Sequence, residues 1–137
     1  MSGYGNLKDI IQTITTKRMS SFNEFLVDSA REGFLSTVKY LVEEGADIHT
    51  NSEEALRKSA QNGHFDVVKF LIEKSADIYT SLSLALTWSA REGHLDIVKF
   101  IVEEDAYFRL DFEMAFLMSA AKGHFDVVKF LASSFKQ

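Results

Sequence analysis

Apolar and small residues are spaced along the chain in a pattern that alternates between two kinds of stripe. Ala55, Leu56, Ser59 and Ala60 recur at i, i+1, i+4 and i+5, one face of a 3.6-residue period. After Gly63, a second stripe of Val67, Val68 and Leu71 follows. The pair of stripes then repeats. GHFDVVKF stands at 63–70 and again at 123–130, with the near copy GHLDIVKF at 93–100. Blocks of thirty residues counted from Ser21 align without gaps. Ser29-Ala30, Ser59-Ala60, Ser89-Ala90 and Ser119-Ala120 share one column, Gly33, Gly63, Gly93 and Gly123 another, and Lys39, Lys69, Lys99 and Lys129 a third.

Each block predicts two helices. Ser21, Asn51, Ser81 and Asp111 open the four blocks, and all are residue types whose side-chain oxygen can cap a helix start. Ser21 with Glu24 and Asn51 with Glu54 add capping-box spacing. The glycine column then fits the left-handed residue that ends the first helix. Asp66, in the first turn of the second helix, suits its dipole. One helix pair cannot cover its own apolar stripe, so the units must stack, giving an all-α solenoid of helix pairs. Five segments follow: a capping half repeat at 1–20, units at 21–50, 51–80 and 81–110, and a last unit at 111–137. In the half repeat, Asp9, Ile10, Ile11 and Ile14 echo Asp96, Ile97, Val98 and Ile101, predicting a short helix and a shortened loop before Ser21.

Segments such as SAREGFLSTVKYLVEEGADI (29–48) and SAQNGHFDVVKFLIEKSADI (59–78) resemble ankyrin repeats, from the small-residue first helix through Gly-His to the Gly-Ala-Asp loop. The resemblance covers residues 21 to about 132. The usual repeat is about three residues longer and opens with Thr-Pro-Leu-His, whereas this chain has no proline. Thirty-residue repeats without that motif resemble those of large DNA viruses of amoebae (mimivirus-like). The resemblance implies a protein–protein interaction scaffold with no catalytic or cofactor residues, working in the cytoplasm, that of a host cell if the viral likeness holds.

Composition changes this picture little. The 137 residues are 46% hydrophobic and 26% charged, as in ordinary globular domains. No run approaches the ~20 apolar residues that cross a bilayer, and no secretory signal is visible at the N-terminus. Without cysteine, disulfide and thiolate chemistry are excluded. Lys8, Lys17 and Arg18 against Asp9 leave the first twenty residues at +2, so the rest carries −7 of the total −5. That balance disfavours nucleic-acid partners.

Catalysis and metal binding have little to build on. His64, His94 and His124 sit in equivalent places of successive units, which stack roughly 8–10 Å apart, too far to share one zinc ion. They are expected to bond the neighbouring unit's backbone. The serine column reads as packing, and neither a nucleophile elbow nor a phosphate-binding glycine loop is present. The acidic residues at second-helix ends (Glu43-Glu44, Glu73, Glu103-Glu104-Asp105) read as a solvated face.

If the shared columns hold the scaffold, the variable ones carry specificity. They lie at the loop tips (His49, Tyr79, Arg109) and on the first helix (Leu82, Phe112, Arg57, Lys58, Trp88). By resemblance this ridge lines the concave face. Trp88 occupies a column that elsewhere holds Asp28 and Lys58, so it is expected to be accessible, and Trp, Tyr and Arg dominate interface energetics. The fourth unit is unusually apolar, with Phe112, Met114, Leu117 and Met118, and its preceding loop reads Ala106-Tyr107-Phe108. The last unit also keeps the interior phrase instead of a polar terminal face. An alternative role follows: a structural protein that forms a homo-oligomer through Leu131 and Phe135.

Overall fold

The glycine column falls between the two helices of each pair, and the Ser-Ala column near the end of the first. The computed structural model describes residues 7–104, 110 and 112–134, and among them contains eight helices and no strand. They are α1 (Leu7–Glu32), α2 (Leu35–Glu43), α3 (Thr50–Gln61), α4 (Phe65–Glu73), α5 (Ile78–Arg91), α6 (Leu95–Glu104), α7 (Glu113–Ala121) and α8 (Phe125–Ser134). None is long and apolar enough to cross a membrane.

Each pair turns on its glycine. Gly63, for example, has φ +79°, a conformation only glycine adopts without strain. The odd-numbered helices contact one another far more than the even-numbered ones do. Small residues cause this. Ala30, Ala60 and Ala90 are fully buried between stacked helices, as are Ser59 and Ser89. The buried hydroxyls satisfy themselves within their own helix: Ser59 donates to the Leu56 carbonyl at 3.0 Å and Ser89 to that of Ala85 at 2.6 Å. The serine column is therefore packing.

The second helices carry bulkier side chains and stand apart. Shallow grooves open between them, one of about 390 Å3 between α2 and α4 and one of about 250 Å3 between α4 and α6. Close packing on one side and splay on the other curve the stack, with the first helices inside. One core runs its length, through Leu26, Val38, Leu56, Val68, Leu86, Val98, Val127 and Leu131.

The helix starts differ from expectation. Ser21 lies inside α1, and Ser81 inside α5, where it is buried. The cap of α5 is Asp77, one turn earlier, whose carboxylate accepts from the Thr80 N–H at 3.1 Å and the Thr80 hydroxyl at 2.6 Å. These two bonds hold its carboxyl below the ordinary carboxylate value, the hydroxyl contributing most. Asn51 is not a cap either: 51–53 form a left-handed turn, with φ of 54°, 56° and 66°, ahead of the right-handed part of α3. Asp111 lies outside the described residues.

The half-repeat loop is also corrected. α1 runs unbroken from Leu7 to Glu32. That stretch has no glycine or proline to stop it, and Thr13 and Thr16 donate back to the Asp9 and Gln12 carbonyls. Leu7, Ile11 and Ile14 consequently remain exposed and do not fold back over the first pair.

Candidate functional site

The candidate surface is the solvent-facing side of the first helices, and its geometry is clearest on α5. Along that helix Leu82, Ala85, Leu86, Ser89 and Ala90 are buried, while Tyr79, Thr80, Ser83, Leu84, Thr87 and Trp88 are exposed or half-buried. The two sets interleave as opposite stripes of one 3.6-residue period. The outward stripe lines a shallow depression of about 270 Å3 formed by Tyr79, Thr80, Ser83, Leu84 and Thr87.

Trp88 sits at the end of this stripe. It is half-buried against the core, and the Arg91 guanidinium lies 5.1 Å from its ring centroid, a cation–π contact that fixes the indole from one side. Tyr79 is 46% exposed. Lys58 is half-buried on α3, as is Arg57, which donates to the carbonyls of Ser52 at 3.1 Å and Asn51 at 3.2 Å. Arg57 thus pins the left-handed turn. His49, exposed at the loop tip, pairs through Nδ1 with the Glu53 carboxylate on the far side of the same turn. The Asp47 carboxylate accepts from the His49 N–H at 2.9 Å, and the Asp47 N–H donates to the Asn23 side chain at 2.7 Å. Consecutive left-handed non-glycine residues cost about 1–2 kcal/mol each, and these ties are what hold them.

Several expected site residues stand elsewhere. Leu82 is 1% exposed and belongs to the core, in register with Leu86 one turn on, so it cannot touch a partner. Phe112 is half-buried against the core just ahead of α7. Leu131 is fully buried inside the last pair and does not lie on the C-terminal face. Arg109, Phe135 and the 106–108 loop lie outside the described residues. Ser83 and Leu84 enter the site in place of Leu82.

The histidine column is structural, as expected. His64 donates from Nε2 to the Arg31 carbonyl at 2.9 Å, and His94 to the Gln61 carbonyl at 2.7 Å. Each ring lies on the glycine of the preceding unit. A Cβ at Gly33 would come within 2.5 Å of the His64 ring, and one at Gly63 within 2.7 Å of His94. Among the described residues, no group of three or more histidine, aspartate or glutamate side chains is placed to hold a metal ion.

The larger groove, between α2 and α4, does not displace the inner face as the candidate. Its walls come from the repeated columns, with Lys39 and Lys69 beside Leu35, Phe65 and Phe70, and Lys39 and Lys74 each place an ammonium within 6 Å of the Phe70 ring. A groove walled by residues that every unit repeats carries nothing particular to one partner.

No curated protein matches the chain, so the narrower likeness to repeats of large DNA viruses has no relative behind it. A family model described as ankyrin repeats in three copies matches residues 4–82 and 26–111. Helix pairs turning on a left-handed glycine, locked by a histidine from the next pair and matched from residue 4 to residue 111, place this chain in the ankyrin-repeat family.

Proposed function

We propose that this chain is a non-catalytic scaffold that binds a protein partner through its inner face, with Trp88 and Tyr79 as anchors. Ankyrin repeats are generally protein–protein interaction modules and generally not enzymes. The observation that supports the assignment here is the outward stripe of α5. It presents two aromatics, exposed Tyr79 and half-buried Trp88, beside an apolar depression. Arg57, Lys58 and His49 continue it onto the second unit as a polar rim. Arg109, by its place in the repeat, would continue it onto the third loop, and Phe112 would support the fourth unit's edge.

Recognition would be by a rigid surface. Arg91 holds the Trp88 ring and Arg57 holds the turn at 51–53, so little side-chain freedom is left to lose on binding. The acidic balance of −5 favours a protein partner with a basic or apolar surface over nucleic acid.

The test compares wild type with a Trp88→Ala/Tyr79→Ala double variant as baits, after both show the same helical melting curve. A protein bound by wild type should be held at least ~30-fold more weakly by the variant, the scale of a central aromatic hot spot. Equal capture by both baits would refute the assignment.

A further inference from the structure

We propose that the chain self-associates head to tail, the C-terminal end of one copy stacking on the N-terminal end of a second as one repeat stacks on the next. The faces used are the two ends of the solenoid, so the proposal is independent of the inner-face reading.

Comparing exposure down each column shows which positions face each end. The column of Ala30, Ala60 and Ala90 is fully buried, but Ala120 is exposed; Val38, Val68 and Val98 are fully buried, but Val128 is only half-buried. Phe125 is 74% exposed where Leu35, Phe65 and Leu95 are half-buried. These residues face the C-terminal end, where Ala120, Gly123, Phe125 and Val128 line an open apolar depression of about 230 Å3. Other columns are exposed only in the first unit. Thr37 is exposed where Val67, Ile97 and Val127 are fully buried, Phe34 is 59% exposed where the histidines are half-buried, and Tyr40 is 57% exposed where Phe70, Phe100 and Phe130 are half-buried. These face the N-terminal end. The long α1 leaves Phe34 and Tyr40 uncovered.

Three kinds of contact link interior units, the ring on the glycine at every junction and the other two at some of them, and each leaves one half unused at either end. A ring from the next unit lies on the glycine: His64 on Gly33, His94 on Gly63, His124 on Gly93. Nothing lies within 4 Å of a Cβ built on Gly123, and the ring in the histidine column of the first unit is Phe34. The aromatic after the histidine meets the next unit edge to face, Phe65 against Phe100 at 5.2 Å. The equivalent halves at the ends are Phe125 and Tyr40. The column lysine lies over the next unit's ring, Lys39 over Phe70 and Lys99 over Phe130, each at 5.8 Å. The unused halves are Lys129 and, again, Tyr40.

A second copy added in the thirty-residue register therefore sets a ring on Gly123 and brings Tyr40 to Phe125 and Lys129, continuing an interface the chain already makes between its own units. The Phe34 ring, unlike imidazole, has no N–H to donate, so the Ala121 carbonyl lacks the partner that the Arg31 and Gln61 carbonyls have. The junction between copies is thus weaker than an interior one, and reversible. Because the two faces differ, the contact is heterologous and does not close into a dimer.

Sedimentation equilibrium of wild type, Phe125→Glu and Tyr40→Glu tests this. Both residues are exposed, so each variant should keep the wild-type melting curve; if a glutamate lowers it, serine replaces it at that position. Wild type should show a mean mass that rises with concentration past that of a dimer. Each variant alone should stay monomeric at concentrations where wild type associates, at least tenfold weaker, and an equimolar mixture should give dimers, and nothing larger, through the intact C-terminal face of one and the intact N-terminal face of the other. Wild type that stays monomeric at every concentration would overturn the proposal. So would a Tyr40→Glu variant that still associates as strongly as wild type, which would show the C-terminal faces pairing with each other.

Discussion

Gly63 and Gly123 have the same φ, +79° and +78°, and end equivalent helices, yet their surroundings have little in common. Over Gly63 lies the ring of His94, bonded to the carbonyl of Gln61. Over Gly123 the space is open. The glycine column thus does two jobs that the repeat pattern merges: it turns the chain, and it leaves room for the next unit. Only the first is needed at the C-terminal end. An interior unit differs from the terminal one in what covers it, and the difference can be measured.

The largest effect should come from Gly63→Ala against Gly123→Ala. At Gly63 a Cβ brings left-handed strain of about 1–2 kcal/mol and also displaces the His94 ring, whose hydrogen bond is worth about 1 kcal/mol. A total near 3 kcal/mol is expected in urea unfolding, against only the strain, about 1–2 kcal/mol, at Gly123. Equal losses at the two sites would show that the stacking role of the glycine is negligible. A smaller contrast is expected for Ala90→Leu and Ala120→Leu. Ala90 is fully buried, and overpacking a filled core costs about 1–3 kcal/mol. Ala120 is exposed, so the same change should leave the unfolding midpoint within error. Helical melts of the two variants would decide it.

The stacked architecture was legible in the residues because every interior unit solves the same packing problem, so glycine, Ser-Ala and histidine must recur at the same phase. What was not legible depended on choices between neighbours of equal chemical merit. Asp77 and Ser81 are both good caps one helical turn apart, and packing of Ser81 into the core decided for Asp77. Leu82 and Leu84 stand two residues apart on one helix, and only the register of Ala85 and Leu86 turned the first inward. The left-handed turn at 51–53 had no glycine to announce it. Its support comes from Arg57, six residues on from Asn51, a contact no local rule supplies. The isoleucines of the N-terminal segment repeat the stripe of α6, but a stripe does not say whether the chain breaks before it reaches a partner.

Substituting glycine at Ser52 probes that turn directly. Ser52 has φ 56°, and glycine adopts this conformation without the Cβ clash, while losing more freedom from the unfolded chain. The net gain expected in urea unfolding is about 1 kcal/mol. The same substitution at Ser83, one place further on in the repeat register and inside the regular helix α5, should destabilise by about 1 kcal/mol. Opposite signs at two serines in neighbouring units would show that the second unit's entry is built differently from the third's.

The smallest expected effect belongs to a contact made within one unit, which should be indifferent to what is stacked on it. Asp77 accepts two bonds from Thr80, and its carboxyl is held below the ordinary value of 3.8. A depressed folded pKa means that the unfolded chain takes up the proton first as the pH falls. The stabilisation is therefore fully present above the unfolded value and is lost as the pH drops through the folded one, in the range below about 4. In Asp77→Asn the side-chain oxygen still accepts the Thr80 N–H, but the charge and one acceptor are gone. Wild type should melt slightly above the variant at neutral pH, with the gap narrowing as the pH falls below about 4. The gap between wild type and Gly63→Ala has no carboxylate behind it and should persist through the same range. A gap for Asp77→Asn that stays constant with pH would mean that the carboxylate charge contributes nothing to the cap.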